Sequence, residues 1–191
     1  KGRDGFNQLG PMITFGGLVI PNAEMQEQLF PVRILKQEFR CDAAGAGQFR
    51  GGTGVEYEAQ HFDASDFSFR AEGVVTARGY GVNGGKTGRS ASVSISSGPV
   101  ARDSNGTEPN YENTPTYGVY SYAPGQLRVV SSGGGGWGDP LLRDPALVAR
   151  DVADELVSIA HAQSEYAVAL QPDGLVDERE TARLRAATSA T

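Results

Sequence analysis

Cysteine, histidine and clustered positive charge are all scarce in this chain of 191 residues. Cys41 is the only cysteine, which excludes an internal disulfide and a cysteine zinc site and fits a reducing cytoplasm. The two histidines, His61 and His161, lie far apart, and neither belongs to a His-x-x-x-His pair or a His-carboxylate cluster, so no metal ligand set is legible. Lys and Arg total 17 against 23 Asp and Glu, and the cations are scattered, which argues against a nucleic-acid partner. No apolar run approaches the roughly 20 residues of a membrane span. A Gly-x-Ser-x-Gly nucleophile turn is missing as well. Hydrophobic residues make up 39% of the chain, a low share for a globular domain, so any core is thin for the length.

Glycine is abundant instead, at 26 residues, which favours a turn-rich β protein over a helical bundle. The chain turns on Ser131-Ser132-Gly133-Gly134-Gly135-Gly136-Trp137-Gly138-Asp139-Pro140. Four successive glycines lose much backbone entropy on ordering, so they are expected where the backbone turns tightly or approaches something closely. The tract reads either as an anion cradle of backbone N–H groups or as a structural crossover. Helix signals start only at Asp144-Pro145, which favours the crossover.

Before the tract, short β-type runs alternate with turns. Strands are expected at 12–15, 18–20, 32–40, 55–62, 67–70, 73–76, 90–96, 117–120 and 127–130, with a long exposed loop or short hairpin over 97–118. A short helix is expected over 21–29, with Pro21 at its first position and Met25 and Leu29 burying one face. After the tract the period becomes helical. Asp144 is an N-cap before Pro145, Ser158 caps a helix over 159–166, and Asp177 with Glu180 forms a capping box for a last helix towards Ala187. The expected fold class is α+β, a glycine-rich, mainly antiparallel β domain over 1–138 followed by a helical segment over 139–191. The apolar stripes Leu147, Val148, Val152 and Leu156, then Ile159 and Tyr166, are expected to bury against the β domain or a partner subunit.

Gly85-Lys86-Thr87 suggests a phosphate-binding P-loop, but the glycine required five residues before Gly85 would stand at 80, which is Tyr80. The sequence after it alternates like a strand where a P-loop needs a helix. The motif reads as a connection between strands. The sequon Asn105-Gly106-Thr107 reads as chance in a reducing compartment. The chain opens on Lys1 with no signal-peptide pattern, and is expected to be a processed product, a nicked fragment or one part of a split protein.

Two stretches carry a resemblance to a known family. Gly45-Ala46-Gly47-Gln48-Phe49-Arg50-Gly51-Gly52-Thr53-Gly54-Val55, and Gly133 to Pro145 with Val148, Asp151, Val152, Val157, Ser158 and Tyr166 to Val168, resemble the hydantoinase B/oxoprolinase family. Phe30-Pro31-Val32-Arg33 is similar to a further pattern of that family. The resemblance covers the last third or so of such a subunit. It implies the C-terminal portion of an ATP-dependent complex that hydrolyses a cyclic amide or carboxylates a ketone, with this chain scaffolding and inactive alone. It also implies that ATP, magnesium and a divalent metal belong to the whole complex, and that the partners are the rest of the B-type subunit and a hydantoinase A-type ATP-binding subunit. The residues present do not choose between hydrolase and carboxylase. The alternative is a stand-alone β-domain that binds a protein or carbohydrate.

No residue is assigned as catalytic, cofactor-binding or metal-binding. Three are substrate-pocket candidates. Arg3 and Asp4 lie in the opening Gly-Arg-Asp-Gly turn, which resembles a glycine-rich segment of the family; a salt link closing that turn is the plainer role. Arg50 could cap an anion or an interface carboxylate, while the glycines around it could equally be a bulge or hairpin with positive φ.

Overall fold

The computed structural model describes residues 2–7, 22–97 and 109–188. The strands expected at 12–15 and 18–20, Pro21 and the sequon lie outside them. The elements in order are α1 (Ala23–Leu29), β1 (Val32–Phe39), β2 (Val55–His61), β3 (Ser65–Arg70), β4 (Ser92–Ser97), β5 (Glu112–Asn113), β6 (Tyr117–Tyr122), β7 (Gly125–Val130), a 3-10 turn (Pro140–Leu142), α2 (Pro145–Ala153), α3 (Ile159–Tyr166) and α4 (Glu178–Thr188). The fold is α+β. An antiparallel five-stranded sheet runs β1-β2-β7-β4-β5, and β3 pairs with β6 in a separate antiparallel ribbon.

Most of the local expectations match these elements. Asp144, Ser158 and Asp177 each accept a backbone N–H two or three residues on, at 2.9, 3.1 and 2.9 Å, so each caps its helix. The capping box is only half made, because the Glu180 carboxylate turns to Arg183 and the Asp177 N–H donates to the Ala169 carbonyl. Two readings differ. Residues 73–76 form bends, with Gly73 at a φ of 73° that leaves the extended region and Val75 almost fully exposed. In α1 the N-cap is Asn22, and Met25 and Leu29 are exposed, since the helix meets little beyond β1.

The centre of the molecule is made of backbone. The segment 133–138 runs through a cage formed by 43–54 and 79–89. The N–H groups of Gly133, Gly134 and Gly136 donate to the carbonyls of Arg89, Gly52 and Lys86 at 2.8–3.0 Å. Phe49 and Trp137 exchange both backbone bonds, and Val82 donates to the Gly136 carbonyl. A Cβ on Gly133 would stand 1.8 Å from the Ala43 carbonyl oxygen, one on Gly135 would stand 1.9 Å from that of Tyr80, and one on Gly136 would stand 2.1 Å from that of Ala46. The surrounding glycines obey the same limit: Gly45 faces the Lys86 carbonyl and Gly51 that of Gly134. Of the glycines over 45–54, none takes a positive φ. Glycine is required there because neighbouring carbonyls occupy the side-chain position, and the bulge or hairpin reading is corrected accordingly.

The helical segment folds back on this glycine bundle. Val148, Val157, Ala162, Tyr166 and Val168 form one cluster with Ala46 of the bundle. Much of the apolar stripe is thus buried within the chain, where each large aliphatic contributes roughly 1.5–3 kcal/mol. Leu147 and Ile159 stay exposed. Asp42 ties the α2–α3 junction to the bundle, its N–H donating to the Leu156 carbonyl and its carboxylate accepting from Ser158 N at 2.7 Å.

Neighbouring glycines of one tract should therefore differ sharply in tolerance. Gly136→Ala meets backbone at 2.1 Å and is expected to abolish folding or cost more than about 4 kcal/mol, whereas Gly134→Ala, whose nearest atom is Gly52 N at 3.3 Å, should cost about 1–3 kcal/mol. Urea unfolding of the two variants checks the order.

Candidate functional site

Four ionised side chains meet where the opening segment, the bundle and α2 come together. The 3-10 turn, capped by Asp139 at Leu141 N, delivers Arg143 into the interior, where it is 1% exposed. Its guanidinium makes a two-pronged pair with Asp4, at 2.6 and 2.8 Å, and a third contact to Asp151 Oδ2 at 2.7 Å. Arg50, also buried, brings Nε to 3.2 Å from the same Asp151 oxygen, as an ion pair without the alignment of a hydrogen bond. Its Nη1 donates to the Gly51 carbonyl at 2.7 Å and to Asn7 Oδ1 at 3.3 Å, and its backbone N–H donates to Asp4 Oδ1 at 2.8 Å. Arg185 of α4 donates to the Arg143 carbonyl at 2.7 Å, so the last helix joins the same point.

The electrostatics are those of a closed set. Burial works against ionisation of Asp4, but the hydrogen bonds and charge of Arg143, helped by Arg50, outweigh it and hold the carboxyl below its ordinary value. Burial likewise opposes the charge on Arg143, and its two aspartates more than restore it. The Tyr166 ring packs under the Arg143 guanidinium, 6.0 Å from centroid to Cζ, and burial pushes its hydroxyl up to about 12. Within the four, two cations balance two carboxylates. The geometry fixes segments in place.

Of the three candidates, Asp4 and Arg50 come together through Arg143 and Asp151. Arg3 does not join them; it is exposed, with its guanidinium 5.9 Å from the Phe6 ring, and Asp4 closes on Arg143 in place of Arg3. Arg143 and Asp151 lie among the residues that carry the family resemblance, but sequence reasoning gives neither of them a role in a site. Asp151 shares the buried face of α2 with Val148, and an acid on an apolar stripe is the signal that a buried cation must pair with it.

Other motifs stand apart. Lys86 is exposed; its N–H donates to the Ala46 carbonyl, and the Gly85 and Gly88 N–H groups donate to Val82 and Gly79 carbonyls. Those donors point into the bundle and cannot cradle a phosphate. His61 is buried edge-on to Phe67, and His161 lies against Tyr166. Among the described residues no three His, Cys, Asp or Glu side chains converge as a metal set, and no helix is long and apolar enough to cross a membrane. A second ionic group lies on the sheet, where Glu56 takes Lys36 at 2.8 Å and Arg128 Nε at 2.9 Å.

The model of the Hydantoinase B/oxoprolinase family matches residues 1–140. The chain is 34% identical to the beta subunit of the caprolactamase of Pseudomonas jessenii, over 98% of this chain and 32% of that protein. It is 28% identical to a protein of Pseudomonas sp. (strain NS671), provisionally named as the B component of a D-/L-hydantoinase, over 83% of this chain and 26% of that one. The crystal structure of the ATP-dependent caprolactamase from Pseudomonas jessenii superposes with a TM-score of 0.70 at 31% identity, over 90% of this chain and 29% of that chain. A nucleotide-free acetone carboxylase superposes with a TM-score of 0.69 at 22% identity, over 98% and 28%, a likeness of fold. The chain spans about a third or less of each relative.

Removing one member of the cluster should strand a buried charge. Asp151→Ala is expected to cost about 3–5 kcal/mol in urea unfolding, and Arg3→Ala less than about 0.5 kcal/mol. Asp4 adds a pH signature. Its folded-state value is depressed, so its contribution is fully present above its ordinary value of 3.8 and lost as pH falls through the lower folded value. The stability gap between wild type and Asp4→Asn should be constant near neutrality and close in that acid window.

Proposed function

Because the chain belongs to the hydantoinase B/oxoprolinase family, we propose that it forms the C-terminal portion of a B-type subunit in an ATP-dependent enzyme that opens a cyclic amide. One observation carries this reading. The likeness to the caprolactamase beta chain runs through 98% of this chain, across both glycine tracts and into the helices. The partial likeness to a hydantoinase component points to the same substrate class, a ring closed by an amide. The acetone carboxylase shares the fold at 22% identity, so ketone carboxylation is the competing outcome of the test.

In this reading the chain is a scaffold. The charges of Asp4, Arg50, Arg143 and Asp151 neutralise one another, and the N–H groups of Gly133, Gly134 and Gly136 serve the bundle. ATP with magnesium, and any divalent metal, would be held by the remainder of the B-type subunit and by an A-type ATP-binding subunit, where they would supply activation of the amide oxygen. The contribution of this chain is to hold residues 2–7 rigidly against the bundle through Asp4, and so to fix the strand-facing surfaces on which those partners close. Asp4 and Arg50 then act on the pocket only through position.

Reconstitution tests the proposal. The chain, the rest of the B-type subunit and the A-type subunit are mixed with ATP and either caprolactam or hydantoin. Ring opening matched by ATP consumption should appear in the complete mixture and be missing when this chain is left out or used alone. Turnover by the chain alone, or bicarbonate fixation on acetone by the complete mixture, would contradict it.

A further inference from the structure

A groove of about 760 Å³ opens between β1 and the α2–α3 junction. It carries an apolar strip of Val152, the buried Val157, Phe39 and Ile159, the last two 40% and 63% exposed. Its rim is acidic, carrying Glu38, Asp154 and Glu155. Lys36, the one cation on the wall among the described residues, is already held by Glu56 at 2.8 Å and lies 3.7 Å from Glu38, so it offers the groove little free positive charge. Glu38 and Asp154 keep more than half of their side-chain surface exposed. Ion pairs at such exposure are weak, and these acids remain open to a better partner.

We propose that this groove is the docking site for a segment of the remaining portion of the B-type subunit, one that presents an apolar side chain flanked by Lys or Arg. The inference rests on the family reading above. Two facts select that occupant. The charge of the rim calls for a basic segment, and the apolar strip calls for a side chain to cover it. The relatives carry two-thirds or more of their length outside the part matched here, all of it tethered to this fold in the same chain. A tethered segment meets the groove at high effective concentration, which a separate subunit does not.

Cys41, the only cysteine of this chain, lines the groove and is exposed, so it reports occupancy. The probe is iodoacetamide, read by mass spectrometry of the Cys41 peptide, with this chain free, bound to the remainder of the B-type subunit, and in the complete complex. Labelling should slow at least tenfold on binding the remainder alone. The double variant Asp154→Lys, Glu155→Lys should weaken that association at least tenfold and restore labelling, while its urea midpoint stays that of wild type. Unchanged association and protection in the double variant would overturn the groove assignment while leaving the family reading intact. Protection that arrives only with the A-type subunit would overturn the choice of occupant. If wild type and the remainder do not associate at all, the reading of the partner falls, and the groove proposal falls with it.

Discussion

Carbonyl oxygens sit where side chains would begin along Gly133, Gly135 and Gly136, and the rest of the fold depends on that contact. Most protein centres are filled by interlocking side chains. Here the centre is filled by main chain, with extended segments lying at distances that only hydrogen in place of Cβ permits. Such packing supplies little apolar burial. It supplies directed hydrogen bonds instead, from Gly133, Gly134 and Gly136 to the two segments that cage them. It is also costly in entropy, because glycine loses more freedom on ordering than any other residue. The thin hydrophobic content of the chain and its glycine count are two consequences of this one choice.

A centre made of backbone needs fastening from outside. The ionic cluster does this at the junction of three parts distant in sequence, with Asp4 from the opening segment, Arg50 from the bundle, and Arg143 with Asp151 from the helical segment. Burying three charges and half-burying a fourth is expensive, and a well-packed apolar replacement can match such a cluster in stability. What the charges add is direction. The fork of Arg143 can meet Asp4 in one orientation, which sets the helices against the bundle and sets the groove beside β1. The apolar cluster of Val148, Val157, Tyr166 and Val168 then seals the arrangement.

Much of this is legible in the residues. The change from strand to helix at the glycine tract, three helix caps, the failed P-loop and most strands follow from periodicity and turn chemistry. The resemblance of the two glycine stretches points to the family. The role of the glycines over 45–54 is not legible, because a sequence shows that Cβ is missing and not whether φ or a neighbouring carbonyl demands it. The roles of Arg143 and Asp151 stay hidden because each has a partner distant in sequence: Arg143 meets Asp4 and Asp151 meets Arg50, and no local spacing encodes such contacts. Which of the two expected surfaces takes the helical stripes is not legible for a related reason. The bundle has an apolar wall at Ala46 that is invisible until its strands are assembled, and the helices cover it.

Hydrogen exchange of the glycine amides measures the central claim directly. If the bundle is the core, the N–H groups of Gly133, Gly134 and Gly136 open only when the whole fold opens, and their exchange should be as slow as that of the buried turns of α2 and α3. Exchange of these three amides at the rate of a surface loop, while the helices stay protected, would contradict it.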